Sequence, residues 1–390
     1  MIITAKRMQH LSPHFFATLN NRVEVLQRAG KDIIRLDEGS PDLPPSPAII
    51  AALNQSALQA GAHSYQPHRG SLALRCAWAG MYQRLHNVAL DPEKEIIPLM
   101  GSKEGIFHFP LAFIDPGDVV LIPNPGYITY TRGTLMAGGE PFYLPLLESS
   151  DYLPDLQAIP ASVLKRAKIL WLNYPNNPTA AIAPLDFFTR AVEFARQHDL
   201  IVCHDAAYSQ VSYDGYQPAS ILQVPGAKDV AVEFNSLSKS HNMAGWRVGA
   251  LVGNAEILKA FYTLKTNADS SHFLPILTAA VEAMVGDQAW LAERNAVYQA
   301  RRDVLLSGLR SLGLEPQVPK ASLYVWTPTP PGWGAVEFTN RVLEEANVSL
   351  TPGVVFGEHG EGYVRISVTA PLERIRQAVE RITSLNWEEK

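Results

Sequence analysis

One segment of this 390-residue chain concentrates groups that can do chemistry: Ser236-Leu237-Ser238-Lys239-Ser240, followed by Trp246-Arg247-Val248-Gly249. Hydroxyls beside a guanidinium make a cup for a phosphate, because each donates hydrogen bonds to its oxygens and the guanidinium adds charge. A lysine held among partly buried neighbours loses its proton readily and then serves as a nucleophilic amine. Four other segments carry compatible groups. Gly101-Ser102-Lys103-Glu104-Gly105 sets a glycine and free amides ahead of a helical pattern, which suits an anion as well as ordinary capping. Asn124-Pro125-Gly126-Tyr127 offers an aromatic ring that either lies against a flat ligand or fills the core. Tyr174-Pro175-Asn176-Asn177-Pro178-Thr179 is turn chemistry whose amides can also reach a ligand oxygen. Asp205 ends an apolar run, with Tyr208 three residues on, and a carboxylate there needs a partner.

These segments need elements to position them. Short β-branched runs alternate with helical patterns: 95–100, 118–123, 168–173, 200–205, 229–235 and 246–253. That alternation marks an α/β sheet, and the candidate residues follow the ends of its strands, where open α/β sheets bind ligands. About a dozen residues without a clear crossover helix separate the last two runs, so this pair is expected to be antiparallel and the sheet mixed, mostly parallel. Between the third and fourth runs Pro184 opens a helix whose Leu185, Phe188, Val192 and Ala195 should face the sheet. The proline-rich segment from Gly39 to Pro47 is neither helix nor central strand and reads as a crossing between two bodies. The expected division is an N-terminal arm over 1–47, a large domain over 48–285 and a smaller α+β domain over 286–390, the last joined by the arm.

Composition removes whole classes of function. A chain of this length with 47% hydrophobic and 18% charged residues builds a large buried core, so disordered and fibrous classes are out. Thirty-three basic against 38 acidic residues, with no basic block, argue against nucleic acid and anionic membrane as partners. Two cysteines exclude a disulfide scaffold and cysteine-based zinc sites, and no metal is expected. Lys6 and Arg7 precede no apolar stretch, and nothing approaches the roughly eighteen apolar residues of a membrane span, which predicts a soluble cytoplasmic protein.

Seven motifs in order extend this reading across nearly the whole chain: Gly39 to Asp42 as G-x-P-D, Tyr65 followed by Gly70 and Leu74-Arg75, the Asn176 to Thr179 turn, Asp205 with Tyr208, Ser236-x-Ser238-Lys239, Gly245-x-Arg247-x-Gly249, and the late Arg365. The set resembles the pyridoxal-phosphate aminotransferases of fold type I, class I and II. The resemblance implies that Lys239 binds the cofactor covalently and then carries the α-proton. It implies that Asp205 pairs with the pyridinium nitrogen, which supplies the missing partner, and that Asn177 and Tyr208 hydrogen-bond the ring's phenolic oxygen. Tyr127 then matches the ring-stacking aromatic, and Gly101, Ser102, Ser236, Ser238 and Arg247 match the phosphate cup, with Lys103 at a cup position where many relatives have a smaller residue. Arg365 matches the arginine that holds the substrate α-carboxylate, with Gly39 and Asn177 at the same end. Tyr65 matches a tyrosine given across a homodimer interface to the phosphate.

One departure stands out: Ala180 occupies the position where relatives commonly have glycine, which is expected to alter the turn's dihedral angles. Among rival readings, a dinucleotide-binding dehydrogenase fails because the glycines at 357, 360 and 362 are wrongly spaced. A serine hydrolase fails for want of G-x-S-x-G. A C–S β-lyase on the same cofactor shares the lysine, aspartate and arginine and remains the alternative. Within the transaminases, the run at Gly101 to Gly105 looks like that of diaminopimelate and aspartate or alanine branches. Arg69 is either a contact for a distal substrate carboxylate or a solvated charge.

Overall fold

The computed structural model describes residues 4–11 and 15–387. In chain order its strands are β1 (Ile34–Arg35), β2 (Ile96–Leu99), β3 (Val119–Asn124), β4 (Glu140–Pro145), β5 (Ala167–Asn173) and β6 (Ile201–Asp205). They continue as β7 (Ala231–Ser236), β8 (Gly249–Gly253), β9 (Tyr324–Pro328), β10 (Val348–Ser349), β11 (Thr351–Pro352) and β12 (Tyr363–Ser367). A seven-stranded sheet has the order β2-β8-β7-β6-β5-β3-β4. Only β8 runs against its neighbours, pairing antiparallel with β7 and β2, as the short connection after the fifth run requires.

Side-chain alternation along these strands builds two cores, one on each face. Ile97, Val120, Trp171, Cys203 and Phe234 face Phe109 and Phe261. Their alternates Ile96, Val119, Leu170, Val202 and Ala231 face the helices Leu72–His86 and Leu185–Gln197. On the latter helix Phe188, Val192 and Ala195 are buried as expected, together with Phe187 and Ala191. Leu185 is not buried but 41% exposed, at the first position after the Pro184 cap.

A second core gathers residues from both ends of the chain. β9, β11 and β12 form a three-stranded sheet in which Arg365 pairs with Trp326 and Thr351. β1 pairs in parallel with β10. Ile34 and Leu36 pack there with Leu305 and Leu309 of the helix Ala289–Ser311 and with Phe338, Val364 and Ile375.

The turn after β5 settles the departure at Ala180. Asn176 Oδ1 accepts from the Thr179 amide at 3.0 Å and the Thr179 hydroxyl at 2.9 Å, and the Ala180 amide donates to the Asn176 carbonyl at 3.0 Å. Ala180 has a φ of +58°, so the turn keeps a left-handed residue and the alanine bears the strain. That conformation costs an L-residue roughly 1–2 kcal/mol, from which glycine's extra chain entropy of about 0.5–1 kcal/mol must be subtracted. Ala180→Gly is therefore expected to raise stability by about 0.5–1 kcal/mol. Denaturant unfolding checks it, and a less stable variant would refute the strain.

Candidate active site

A cavity of about 450 Å³ opens where the C-terminal ends of β3, β5, β6 and β7 meet β9 and β12. Lys103, Tyr127, Asn177, Asp205, Tyr208 and Lys239 line it, with Ser102, Ser236, Ser238, Arg247, Gly39 and Arg365. Six of the seven motifs thus converge on one space, together with Ser102, Lys103 and Tyr127, and two of the expected site residues lie outside it. Gly101 lies just outside, as the cap of the helix Ser102–Phe113, with its α-carbon against the Arg247 guanidinium. Tyr65 is 93% exposed and lines no part of it. Arg69 is also elsewhere, its guanidinium 5.1 Å from the centre of the Tyr262 ring.

Lys239 sits not in an open loop but on a single helical turn, Leu237–Ser240, entered directly from β7. Ser236 caps that turn through the Ser238 amide. The helix Ala289–Ser311 supports it from behind: Arg294 donates to the Lys239 carbonyl at 3.1 Å and to the Gln210 carbonyl at 2.7 Å, tying this turn to the loop that carries Tyr208. The Lys239 ammonium donates to the Gly39 carbonyl. Burial, together with the charges of Arg247 and Arg365, pushes its pKa down to about 8, so a sizeable neutral fraction exists near neutrality.

Asp205 is the last residue of β6, on the face shared with Cys203, while His204 points to the opposite face and pairs with Glu233. Its carboxylate accepts from the Tyr130 hydroxyl at 2.7 Å and from the Ala207 amide at 3.3 Å. Burial nevertheless pushes its pKa up to about 6, with the Tyr130 bond acting in the other direction. Tyr130 is itself stacked on Trp171 at 4.7 Å and meets Tyr127 edge-on at 5.7 Å. Asn173 closes this floor, donating to the Asp205 carbonyl at 2.7 Å and accepting from the Asn177 amide at 2.8 Å.

Arg365 is only 3% exposed and has no carboxylate within salt-bridge distance among the described residues. It donates to Asn177 Oδ1 at 2.9 Å and to the Asp37 carbonyl at 2.8 Å, and its buried Nε has no partner. The rings of Tyr324 and Phe356 lie 4.2 and 4.8 Å from its guanidinium carbon. The surface ion pair that a lone arginine usually makes is therefore absent here.

This charge balance tests what the cavity can hold. Arg35 pairs with Asp37 at 2.7 Å and Glu38 at 3.2 Å. The lining as a whole sets five cations, Arg35, Lys103, Lys239, Arg247 and Arg365, against the three carboxylates of Asp37, Glu38 and Asp205, an excess of two, and repulsion from Arg132 and Arg247 adds to burial in lowering the Lys103 pKa. Such an excess, arranged as a hydroxyl-and-guanidinium cup at one end and an unpaired fork at the other, fits a phosphate and a carboxylate. A lone buried carboxylate between them fits a cationic ring nitrogen. Tyr324, Tyr130, Asn173 and Phe16 complete the site and were not anticipated; only Asn173, the last residue of its strand, had a readable signal.

Residues 31–382 match the family described as aminotransferase class I and II. The chain is 48% identical over 378 residues to the LL-diaminopimelate aminotransferase of Moorella thermoacetica, covering 97% of each chain. It is 46% identical to that of Syntrophobacter fumaroxidans, covering 99% of each. The solved structure of substrate-bound BacF from Bacillus subtilis matches it with a TM-score of 0.95 at 36% identity, covering 99% of this chain and 98% of that one. The fold and cavity therefore define a fold type I enzyme built around pyridoxal 5'-phosphate, and the chain belongs to the class I and II aminotransferases. Its chemistry is transfer of an amino group from an amino acid to a 2-oxo acid, and the β-lyase alternative is not favoured.

Proposed function

We propose that the amino donor is LL-diaminopimelate. The observation that carries this reading is the 48% identity, over 97% of both chains, to an enzyme named for that substrate. The chemistry of the cavity is compatible with it: Arg365, buried and without a carboxylate partner among the described residues, can take the α-carboxylate. A half-reaction screen tests the proposal. Loaded enzyme is mixed with LL-diaminopimelate, meso-diaminopimelate, aspartate, alanine or glutamate, and loss of the cofactor's visible absorbance is followed. Faster conversion with aspartate or alanine than with LL-diaminopimelate would replace the substrate while leaving the class intact.

When bound, pyridoxal phosphate supplies an aldehyde that condenses with amines and a protonated ring that withdraws the electron pair left by the departing α-proton. Lys239 is assigned as the covalent anchor and, once released, as the base that moves that proton. Asp205 would keep the ring nitrogen protonated, and Tyr127 would offer its ring as the stacking surface. Asn177 and Tyr208 would hydrogen-bond the phenolic oxygen. Gly101, Ser102, Lys103, Ser236, Ser238 and Arg247 hold the phosphate, while Arg365, Asn177 and the Gly39 backbone orient the substrate. The exposure of Tyr65 supports a homodimer in which this tyrosine completes the partner's phosphate site. The division at residues 47 and 285 and a cytoplasmic setting belong to the same proposal. Among the described residues no helix is long and apolar enough to cross a membrane.

Arg365→Lys tests the substrate end. Lysine keeps the charge but replaces a planar fork by a point donor, so KM for amino acids is expected to rise and proton abstraction to slow, together costing about 1.5–3 kcal/mol of transition-state binding. Cofactor affinity should be spared, because no cup residue changes. Steady-state kinetics with an amino acid and its α-amide read the effect, and unchanged kinetics would place the carboxylate elsewhere.

A further inference from the structure

Tyr324 stands at the start of β9, where the sequence shows only a strand of the smaller sheet, and it is 3% exposed. Its hydroxyl lies 2.8 Å from that of Tyr208. Its ring centre is 4.2 Å from the guanidinium carbon of Arg365. It also packs against Gly39, where an added Cβ would overlap the Tyr324 hydroxyl, and the Gly39 carbonyl receives the Lys239 ammonium. One side chain thus touches the tyrosine assigned to the cofactor's phenolic oxygen, the arginine assigned to the substrate carboxylate and the glycine that meets the lysine.

We infer that Tyr324 is a positioning residue for transamination: its hydroxyl donates to Tyr208, leaving the Tyr208 proton to the cofactor's phenolic oxygen, while its ring holds the Arg365 fork in place. The inference rests on the roles proposed above for Tyr208 and Arg365. Between two phenols the direction of the hydrogen bond is set by the strongest remaining acceptor. An ionised phenolic oxygen on the ligand is a stronger acceptor than a neutral phenol, so Tyr208 donates to it and Tyr324 donates to Tyr208. A donor whose own oxygen accepts a bond is polarised, and each such link strengthens the next by roughly 10–30%. The other charged or titratable groups that act on this pair are Arg365 from β12, Asp205 from β6, Tyr127 from the loop after β3 and Tyr130 from the helix Thr129–Met136. A tyrosine that merely filled the core would need no hydroxyl here, since phenylalanine offers the same ring to Arg365.

The test reads the pH midpoint at which the visible absorbance of the cofactor-loaded enzyme changes. Loss of a donor makes the phenolic oxygen more basic, so the proton it shares is held to higher pH and the midpoint rises. Y208F should raise it most, and Y324F by a smaller amount, roughly a third of the Y208F shift or less. The double variant Y208F/Y324F should match Y208F, because Tyr324 acts through Tyr208. At the other end, Y324L, which removes the ring, should raise KM for the amino donor more than Y324F does. An unmoved midpoint in Y324F, with Y208F shifted, overturns the inference and leaves the Tyr208 assignment standing. A Y324F shift that persists in the Y208F background overturns it equally, and equal KM values for Y324L and Y324F overturn the part concerning Arg365. If Y208F itself leaves the midpoint in place, the Tyr208 assignment and this inference fall together.

Discussion

Lys239→Ala is expected to abolish transamination, lowering turnover by roughly 10⁴-fold or more, the upper end of what a positioned proton-transfer group contributes. The fold should survive, because among the described residues the side chain makes a single hydrogen bond, to the Gly39 carbonyl. The turn that carries it is held through its backbone by Ser236 and Arg294. Borohydride reduction of the loaded parent followed by peptide mapping should place the pyridoxyl group on Lys239; recovery on Lys103 or any other lysine would sink the assignment. The lowered pKa adds a kinetic expectation. With a midpoint of about 8, the neutral amine grows tenfold per pH unit below that value and saturates above it. The rate at which empty protein captures free pyridoxal phosphate should follow that curve in stopped-flow absorbance. A capture rate still rising tenfold between pH 9 and 10 would mean an ordinary, solvated lysine.

How much of this was legible without coordinates depends on whether the signal is local. The run at 168–173 is β5, Ala167–Asn173, and the run at 200–205 is β6, because a buried parallel strand is a continuous apolar stretch bounded by turns. β4 went unread for the opposite reason. Glu140–Pro145 is an edge strand with a single neighbour, β3, and holds Pro141 and Pro145, which lack the donor an inner strand requires. Its one fully buried side chain is Leu144, too little to mark a strand.

The same distinction runs through the site. Asp205 ends an apolar strand, and Lys239 and Asn177 stand within four residues of the ends of two others, so their polarity was conspicuous in the sequence. Tyr324 was not, because its hydroxyl partner Tyr208 is 116 positions away and a tyrosine in a strand is ordinary. Tyr130 sits inside a helix, Thr129–Met136, where only the fold reveals that its hydroxyl meets Asp205. Arg294 is hidden likewise among the arginines of a long helix, although it ties the helical turn of Lys239 to the loop that carries Tyr208.

Asp205→Asn separates cost from use at one position. In the empty protein the carboxylate is raised from 3.8 to about 6 by burial. A folded-state pKa above the unfolded value means that the group favours the fold below about pH 4 and that this contribution is lost as pH rises through 6. A shift of about two units corresponds to roughly 3 kcal/mol at pH 8, part of which asparagine removes by carrying no charge. Empty Asp205→Asn protein is therefore expected to be more stable than the parent at pH 8, by about 1–3 kcal/mol, and no more stable at pH 4. In the loaded enzyme the sign reverses. A neutral amide cannot hold the ring nitrogen protonated, so turnover should fall by roughly 10²–10³-fold, the scale of losing one preorganised electrostatic contact, and cofactor should dissociate more readily. Denaturant unfolding at the two pH values and single-turnover kinetics read the two halves. Near-normal single-turnover rates would reduce the aspartate to a structural role, whereas lower stability of the empty variant at pH 8 would show that the carboxylate is compensated by something other than the ring. The crossing of the two effects is what the proposed pairing of Asp205 with a cationic ring nitrogen predicts: in the empty site burial opposes the carboxylate, and the 2.7 Å hydrogen bond from Tyr130 offsets part of that cost.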